Sequence, residues 1–244
     1  MKAEFTEIME SIQGEGLLLG VKQVFLRFAG CNLCCSYCDT QASKEYSELC
    51  RLHKKTGSRE LVEEISNPLS KQQLIDLVQQ FNSSWVSLTG GEPLLWADFI
   101  AILMAELKPR GYKFLLETNG TMEPELVKCL PLIDMISMDF KLPSATGCDC
   151  WDLHERFLLR AREKPCYVKI VITADTTCSE LSTAVDIIKS VDKGISLILQ
   201  PVTPGHDCGQ APGMEYLLAL QKLALGELDD VRLIPQIHPF MGLI

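Results

Sequence analysis

The sequence predicts an α/β protein built as an open partial (β/α)6-type barrel with parallel strands. Short apolar segments alternate with amphipathic segments along the 244 residues, which is the order typical of parallel strands joined by helical crossovers. About six such repeats are present, fewer than the eight that a closed barrel requires. Glycine and polar residues follow directly after several strands, and parallel α/β proteins build their sites at that edge of the sheet.

The predicted strands are short apolar segments with branched residues, as expected of buried parallel strands. They are Val24–Phe28, Trp85–Thr89, Lys113–Glu117, Met135–Phe140, Tyr167–Thr173 and Ile195–Gln200, followed by Val231–Ile234. Helices are expected between them, at Ser70–Asn82, Ala97–Lys108, Glu123–Cys129, Trp151–Arg162, Ser179–Ser190 and Gly213–Leu225. The first has one apolar face, and Ser70 with Gln73 is expected to form a capping box at its start.

Composition favours one globular domain over residues 1–244, with a charged surface insertion at 41–70. Hydrophobic residues make up 47% of the chain, which argues against disorder. The formal net charge is −9 without a basic stripe, so we expect no nucleic-acid partner. No apolar run approaches the roughly 18 residues of a membrane span. The start of the chain has no apolar export signal, so a cytoplasmic location is expected.

The most informative motif is a group of four cysteines within eight residues. Cys31, Cys35 and Cys38 have C-x3-C-x2-C spacing, and Cys34 lies between them. Three thiolates can hold a cubic [4Fe-4S] cluster, whereas the usual all-protein site uses four. A site with three leaves one iron open to another molecule, so such a cluster can take part in chemistry as well as carry electrons.

Other interpretations of these thiols remain open at this stage. A structural zinc site needs four closed ligands, usually as two separated pairs, and Cys34 would have to be the fourth. A disulfide framework is typical of small secreted chains. Inert or redox-active thiols are a third possibility. The functional counterpart of these alternatives is a non-enzymatic iron–sulfur electron carrier or a zinc-binding protein.

Several segments together resemble the radical S-adenosylmethionine (SAM) superfamily. The segment from Gly30 through the three cysteines to Asp39-Thr40 resembles that family's cluster loop. Thr89-Gly90-Gly91-Glu92-Pro93 follows a predicted strand and resembles the glycine-rich stretch that receives the SAM amino group. Glu117–Thr121 and Gln200-Pro201 close later strands in the family's order.

Within that superfamily, the chain is similar to the 7-carboxy-7-deazaguanine synthase family. The similarity rests on Ser11–Gly16, Phe25–Gly30, Cys38-Asp39-Thr40 and Pro235–His238, and it extends from Glu10 to His238. Two features depart from that family's pattern. Asp139-Phe140-Lys141 stands where close relatives have Ser-Pro-Lys, and the 41–70 segment is longer than expected.

The resemblance implies a radical reaction with three cofactors, a [4Fe-4S] cluster, SAM and Mg²⁺. SAM chelates the open iron, and an electron from the cluster cleaves SAM to a radical that abstracts hydrogen. The implied reaction converts 6-carboxy-5,6,7,8-tetrahydropterin to 7-carboxy-7-deazaguanine with loss of ammonia, in queuosine biosynthesis. The implied partners are a donor such as flavodoxin or ferredoxin and a second copy of the chain. A radical-SAM activating enzyme, which installs a glycyl radical on a protein, is the nearest alternative.

The resemblance also assigns site residues beyond Cys31, Cys35 and Cys38. The SAM-binding residues it implies are Ser36, Tyr37, Asp39, Gly90, Gly91, Glu92, Glu117, Asp139, Lys141 and Gln200, and Thr40 is the implied Mg²⁺ ligand. The implied substrate-binding residues are Ile12, Gln13, Gly14, Glu15, Arg27, Thr89 and Ile244.

Arg27 stands out without the resemblance, because it interrupts an apolar strand. A buried charge must be paired or functional, and the guanidinium fork suits a carboxylate. Because the substrate implied by the resemblance carries a carboxylate, we expect Arg27 to bind it; the alternatives are a solvated face or a local acid partner.

The remaining candidates each have a simpler alternative. Gly90 and Gly91 let backbone approach SAM closely, or they form an ordinary strand-end turn. Glu92 and Glu117 accept hydrogen bonds from SAM, or they are exposed or cap a helix. Lys141 contacts the SAM carboxylate, or it is a surface lysine. Thr40 binds Mg²⁺, or it is a helix N-cap. The segment Ser11–Gly16 contacts the pterin ring edge, or it is a turn between two strands.

Overall fold

The structure is a computed structural model that describes residues 1–56, 59–203 and 212–242. The strands are β1 (Lys2–Ala3), β2 (Phe5–Ile12), β3 (Lys22–Phe28), β4 (Leu49–Thr56), β5 (Arg59–Ser66), β6 (Leu69–Ser70), β7 (Trp85–Gly90), β8 (Lys113–Thr118), β9 (Met135–Asp139), β10 (Cys166–Ile172), β11 (Ser196–Pro201) and β12 (Val231–Leu233). The helices are α1 (Lys71–Val78), α2 (Ala97–Leu107), α3 (Glu123–Cys129), α4 (Pro143–Thr146), α5 (Trp151–Ala161), α6 (Cys178–Asp192) and α7 (Met214–Leu225).

Ten of these strands form one sheet, in the order β12-β11-β10-β9-β8-β7-β3-β2-β4-β5. Every neighbouring pair from β12 to β3 is parallel. On the other side, β2 is antiparallel to β3, and β4 is parallel to β2 and antiparallel to β5. The sheet has two edge strands, β12 and β5, so it is open. The predicted open α/β architecture with parallel strands is confirmed.

The boundaries of the predicted strands are within two residues of the observed ones. The capping box at Ser70 and Gln73 is also present. Helix α1 ends at Val78, four residues earlier than predicted. The chain tightens there because the N–H groups of Gln80 and Phe81 bond to carbonyls three residues earlier, and the N–H of Asn82 donates to Glu10.

The sheet is larger than predicted on one side. The sequence predicts no bounded strand before Val24, and it predicts the 41–70 segment as a surface insertion. In the structure, β4 and β5 form a hairpin that continues the main sheet beyond β2. The hairpin therefore brings part of this segment next to β2.

Alternation along the central strands separates the core from the site. One set of residues packs into the apolar core beneath the helices: Leu26, Leu88, Leu116, Met138 and Ile170. In each strand, a residue adjacent in sequence to the core residue points to the other face of the sheet and lines a cavity. These residues are Arg27, Thr89, Glu117, Asp139 and Lys169. Among the described helices, none is long and apolar enough to cross a membrane.

Candidate active site

A cavity of about 770 Å³ lies at the carboxyl edge of the parallel strands. Its wall brings together most of the predicted site residues: Ile12, Gln13, Gly14, Glu15, Arg27, Cys31, Cys35, Tyr37, Cys38, Asp39, Thr40, Thr89, Gly90, Gly91, Glu117, Asp139, Lys141 and Gln200. Two predicted SAM residues, Ser36 and Glu92, do not line it. Ile244 lies outside the described residues.

The cluster loop presents Cys31, Cys35 and Cys38 to this cavity. Cys34 is exposed, and its sulfur accepts a hydrogen bond from Lys44 Nζ at 3.5 Å. Burial raises the pKa of the Cys31 and Cys35 thiols, and the negative charge that Cys38 would carry raises both further. Thiols in this state favour a cationic ligand that can hold them as thiolates.

Backbone and side-chain bonds hold the loop in place. The N–H of Gly30 donates to the Ser43 carbonyl at 2.8 Å, and the N–H of Ser36 donates to the Ala145 carbonyl at 2.8 Å. Asn32 accepts from the Asn119 side chain at 2.7 Å. Ser36 therefore contributes to the loop through its backbone, while the residue itself is exposed.

Gly90 and Gly91 are required by packing inside the protein. A Cβ on Gly91 would lie 1.9 Å from the Gly30 carbonyl oxygen. Gly90 has φ +123°, and a Cβ there would lie 2.3 Å from the Phe28 carbonyl oxygen. The absent side chains thus allow the end of β7 to pack against β3 and the start of the cluster loop. This close approach within the chain is a physical reason that the sequence interpretation lacked.

We expect Gly91→Ala to displace Gly30 and with it the cluster loop. The clash is with backbone, which cannot rotate aside as a flexible side chain can, so the cost should be about 3 kcal/mol, at the upper end for overpacking. The measurement is iron content per chain after anaerobic reconstitution, together with the thermal midpoint. Gly213→Ala is the matched control, because a Cβ there meets nothing within 4 Å. Equal iron content in the two variants would contradict this role of Gly91.

Glu92 is a fully buried carboxylate that ties two strand ends together. It accepts from the Leu94 N–H at 3.0 Å, the Thr118 hydroxyl at 2.8 Å and the Asn119 N–H at 2.8 Å. Burial raises its pKa to about 7, against the pull of these donors. Glu92 also caps the short 3-10 helix Pro93–Trp96. This is the alternative to SAM binding that the sequence offered for Glu92.

Glu117, by contrast, faces the cavity from β8. It accepts hydrogen bonds from the Ser87 hydroxyl, from Gln13 Nε2 at 3.0 Å and from the Thr89 hydroxyl at 3.5 Å. Burial raises the pKa of its carboxyl, and the nearby charge of Glu15 raises it further. Gln13 thereby joins the predicted substrate turn to the predicted SAM edge of the sheet.

An alternating ion network crosses the floor of the cavity. Lys169 Nζ contacts the Glu15 carboxylate and lies 3.5 Å from Asp139. Lys141 Nζ lies 2.9 Å from Asp139 and sits over the Tyr37 ring, 5.3 Å from its centroid. Lys141 is therefore a partly buried member of this network, and the surface-lysine alternative is wrong for this structure.

The charges of this network shift the protonation of its members. Burial by itself raises the pKa of Glu15, but the Lys169 ammonium and hydrogen bonds from Lys169 and Gln236 lower it to about 2. Burial lowers the pKa of Lys169, but the carboxylates of Asp139 and Glu15 raise it above its ordinary value. Both groups of the central pair are charged at neutral pH.

The C-terminal segment closes one side of the same network. Gln236 Nε2 donates to Glu15 at 2.6 Å and to Asp39 at 3.0 Å. The Gly14 carbonyl accepts from the Ile237 N–H at 3.0 Å, and a Cβ on Gly14 would meet the ring of His238 at 2.3 Å. The turn at Gly14 and Glu15 is thus held by this segment.

Arg27 has a local acid partner and also faces the cavity, so two of the roles considered for it are compatible in this structure. Its Nε donates to Glu7 Oε2 at 3.2 Å, so it has a local acid partner. Its two terminal amino groups donate to no residue in the described ranges, and the side chain lines the cavity. The fork of the guanidinium thus remains available to a carboxylate.

Thr40 lines the cavity beside the cluster loop. Its hydroxyl lies 3.9 Å from the Cys38 sulfur. It precedes the 3-10 helix Gln41–Lys44, but its side chain makes no capping hydrogen bond there. The hydroxyl oxygen is therefore available to a ligand of the cavity.

Comparison with known proteins identifies the family. A 7-carboxy-7-deazaguanine synthase of Geobacter sulfurreducens is 42% identical over 248 residues, covering 98% of this chain and 97% of the relative. The chain belongs to the 7-carboxy-7-deazaguanine synthase family. The 7-carboxy-7-deazaguanine synthase of Methanothermobacter thermautotrophicus is 34% identical, and the alignment covers 100% of this chain and 98% of the relative.

Two further comparisons place this family member in its superfamily. Residues 26–146 match the Radical SAM superfamily. The crystal structure of QueE from Escherichia coli aligns with a TM-score of 0.66 at 21% identity, covering 97% of this chain and 94% of that one. The predicted radical SAM fold and family are confirmed, and with them a radical SAM enzyme that uses a [4Fe-4S] cluster and SAM.

The residues on the cavity wall of this 7-carboxy-7-deazaguanine synthase family member fit both cofactors. In the described part of the chain, no group of three or more His, Cys, Asp or Glu side chains is arranged to hold a single metal ion. A cubic cluster binds its thiolates through separate irons, so its ligands are spaced more widely than those of one zinc ion. Cys31, Cys35 and Cys38, which share one cavity wall without converging on a point, fit that donor set.

Two orphan acceptors provide the corresponding test for SAM. Asp139 Oδ1 and Gln200 Oε1 are buried without a hydrogen-bond partner among the described residues, and both side chains line the cavity. A buried acceptor without a donor is costly. The ammonium and ribose hydroxyls of SAM are donors that suit them.

The sequence interpretation of this family member missed Lys169, Gln236 and Glu7. Lys169 and Glu7 each interrupt a buried strand with a charge, the same signal that pointed to Arg27. Gln236 lies in the Pro235–His238 segment, which carried the resemblance without an assigned role. Its contact with Glu15 spans 221 positions of the chain, and no local pattern indicates it.

Proposed function

We propose that the chain converts 6-carboxy-5,6,7,8-tetrahydropterin to 7-carboxy-7-deazaguanine, with loss of ammonia, in the synthesis of queuosine. The curated relatives that it matches over nearly their full length are named for this product. The observation that carries the proposal is the polarity of the cavity. The guanidinium of Arg27 lies at one place, and the turn that carries Gln13 and Glu15 lies at another. Met9 and Phe25 form an apolar wall between them.

The substrate's two ends correspond to this polarity. Arg27 binds the carboxylate through its terminal amino groups. Gln13 and Glu15 face the ring edge of the pterin, which presents both donors and acceptors. Phe25 and Met9 line the cavity on β3 and β2 and provide an apolar surface for the ring. Ile244, as a further substrate contact, stays a prediction.

SAM is proposed to bind at the edge formed by β7, β9 and β11. Gly90 and Gly91 offer backbone groups there, and Asp139 and Gln200 offer the two orphan acceptors. Tyr37 and Lys141 form the adjoining wall. When bound, the cluster and SAM supply a radical that removes hydrogen from a carbon too weakly acidic for a side-chain base.

The chain's own residues position the substrate and exclude water. The paired charges of Glu15, Lys169 and Asp139 are preorganised before substrate arrives, so little reorganisation is needed during the reaction. Thr40 is proposed as a Mg²⁺ ligand, because a hydroxyl oxygen suits a hard cation that keeps several non-protein ligands. A reduced flavodoxin or ferredoxin as donor, a homodimeric state and a cytoplasmic location complete the proposal.

Anaerobic reconstitution tests the proposed function directly. The reconstituted and reduced protein is incubated with SAM, Mg²⁺ and carboxytetrahydropterin, and 7-carboxy-7-deazaguanine and ammonia are quantified. Both are expected in equal amounts. SAM cleavage without deazaguanine would instead favour another radical SAM reaction, such as activation of a protein partner.

Arg27→Gln is expected to weaken substrate binding strongly. Loss of a bidentate charged contact of about 3 kcal/mol corresponds to a rise in KM of about 100-fold, with a smaller change in kcat. Arg232→Gln is the control, because Arg232 is exposed on β12 and pairs only with Asp230 among described residues. Unchanged KM in the Arg27 variant would exclude the carboxylate role.

A further inference from the structure

Glu7 on β2 is a buried carboxylate that the proposed reaction does not use. Its side chain is only 4% exposed. Its Oε2 lies 3.2 Å from Arg27 Nε, while its Oε1 lies 3.3 Å from Arg51 and 2.7 Å from His53 Nε2. A carboxylate buried to this degree is stable only with such partners.

The partners come from the strands on both sides of β2. Glu7 stands opposite Arg27 in the β2–β3 register and opposite Arg51 in the β2–β4 register. Glu7, Arg27 and Arg51 all line the cavity, and His53 is buried on β4 beside them. Glu7 therefore links the β4–β5 hairpin, through Arg51 and His53, to Arg27 on β3.

This arrangement fixes the direction of the Arg27 guanidinium. The group is planar, so an anchored Nε determines where its two terminal amino groups point. Those amino groups line the cavity without a partner in the described ranges. His53, bonded to the other carboxylate oxygen, restricts Glu7 in turn.

We propose that Glu7 and His53 are positioning residues for the substrate carboxylate, acting through Arg27. The hairpin is then a working part of the substrate site, although its sequence suggested a surface insertion. The inference deepens the proposed function and rests on it, because the carboxylate belongs to the proposed substrate. Preorganising a binding side chain from a neighbouring element improves affinity by reducing the ordering that binding requires.

The first experiment compares His53→Leu with His53→Gln and Lys54→Ala in the reconstituted protein. His53→Leu removes the donor to Glu7 and is expected to raise KM about tenfold, the effect of one hydrogen bond to a charged group, with kcat unchanged. His53→Gln retains a donor and should recover most of the loss. Lys54→Ala removes an exposed ion pair with Glu63 on the same hairpin and should leave KM unchanged.

A double-substitution cycle separates positioning from a general structural effect. In an Arg27→Gln background, His53→Leu is expected to add no further rise in KM, because the group that it positions is already absent. Losses that multiply in the double variant would overturn the inference. So would equal KM values for His53→Leu and Lys54→Ala.

Equilibrium binding distinguishes failure of this inference from failure of the proposed function. Carboxytetrahydropterin and tetrahydropterin without the carboxylate are titrated into each reconstituted variant. We expect His53→Leu to weaken binding of the first about tenfold and of the second not at all. This pattern supports the positioning role even if wild-type protein forms another product. Absence of carboxytetrahydropterin binding by the wild type overturns both proposals.

Discussion

Cys35→Ala is expected to abolish cluster binding and all SAM cleavage, whereas Cys34→Ala is expected to retain both. Cys35 lines the cavity with Cys31 and Cys38, while Cys34 is exposed outside it. Loss of one of three protein thiolates leaves the cluster with two, and all radical chemistry depends on the cluster. We therefore expect SAM cleavage to fall at least about 10⁴-fold, the scale of losing an essential catalytic group.

The measurement combines iron and sulfide content, the visible spectrum and SAM cleavage under reducing, anaerobic conditions. Cys31→Ala and Cys38→Ala should behave as Cys35→Ala does. Cys34→Ala is the matched control, because it removes the same atom from the same loop. A cluster lost from the Cys34 variant as well would mean that four thiolates hold the metal, and would remove the open iron on which the proposed reaction depends.

The parallel part of the fold was predictable because its pattern is local. Each central strand carries apolar residues that pack beneath the helices, as Leu88 and Leu116 do. The cysteine loop was predictable for the same reason, since its three ligands lie within eight residues. The predicted strand boundaries lie within two residues of the observed ones because turn residues such as Gly111 and Gly120 mark the strand ends.

The antiparallel side of the sheet was harder to predict because its strands carry charge. Glu7 interrupts the apolar pattern of β2, and it is tolerated there because Arg27 and Arg51 pair with its charge and His53 forms a hydrogen bond to it. Arg51 and Lys54 give β4 the composition of a solvated surface segment. The residues that pair with Glu7 can be identified only when the register of β2, β3 and β4 is known.

The same limit applies to Lys169, which was missed although its partner Asp139 was predicted as a site residue. Asp139 and Lys169 stand opposite each other in the β9–β10 register, but 30 positions of sequence separate them. The role of Gly91 changed for a related reason, because its close neighbour is the Gly30 carbonyl and not only a cofactor. Sequence indicated which residues were unusual, and the strand register determined what they contact.

Lys169→Met is expected to lower both stability and activity at neutral pH. The substitution leaves Glu15 and Asp139 in a buried site without their shared cation. Breaking a buried ion pair by removing one partner costs about 3–5 kcal/mol, which corresponds to a fall in the thermal midpoint of about 10 °C for a chain of this size. Lys193→Met is the control, because its pair with Asp229 is exposed and should cost less than about 1 kcal/mol.

The pH dependence gives this prediction a second, independent readout. Burial raises the pKa of Glu15, but Lys169 and, to a smaller extent, Gln236 lower it from 4.5 to about 2 in the folded protein. A lowered carboxyl pKa contributes stability above the unfolded value, and that contribution is lost as pH falls through the folded value. The stability difference between wild type and Lys169→Met should therefore shrink between about pH 4.5 and pH 2.

A compensating substitution decides whether the unpaired charge causes the loss. Glu15→Gln in the Lys169→Met background removes one stranded carboxylate, and we expect it to recover part of the lost stability, because neutral replacement of a buried pair is far less costly than removing one partner. Activity should not recover, since Glu15 is itself a proposed substrate contact. Additive losses in the double variant would show that Lys169 and Glu15 act independently, against the contact that the structure places between them.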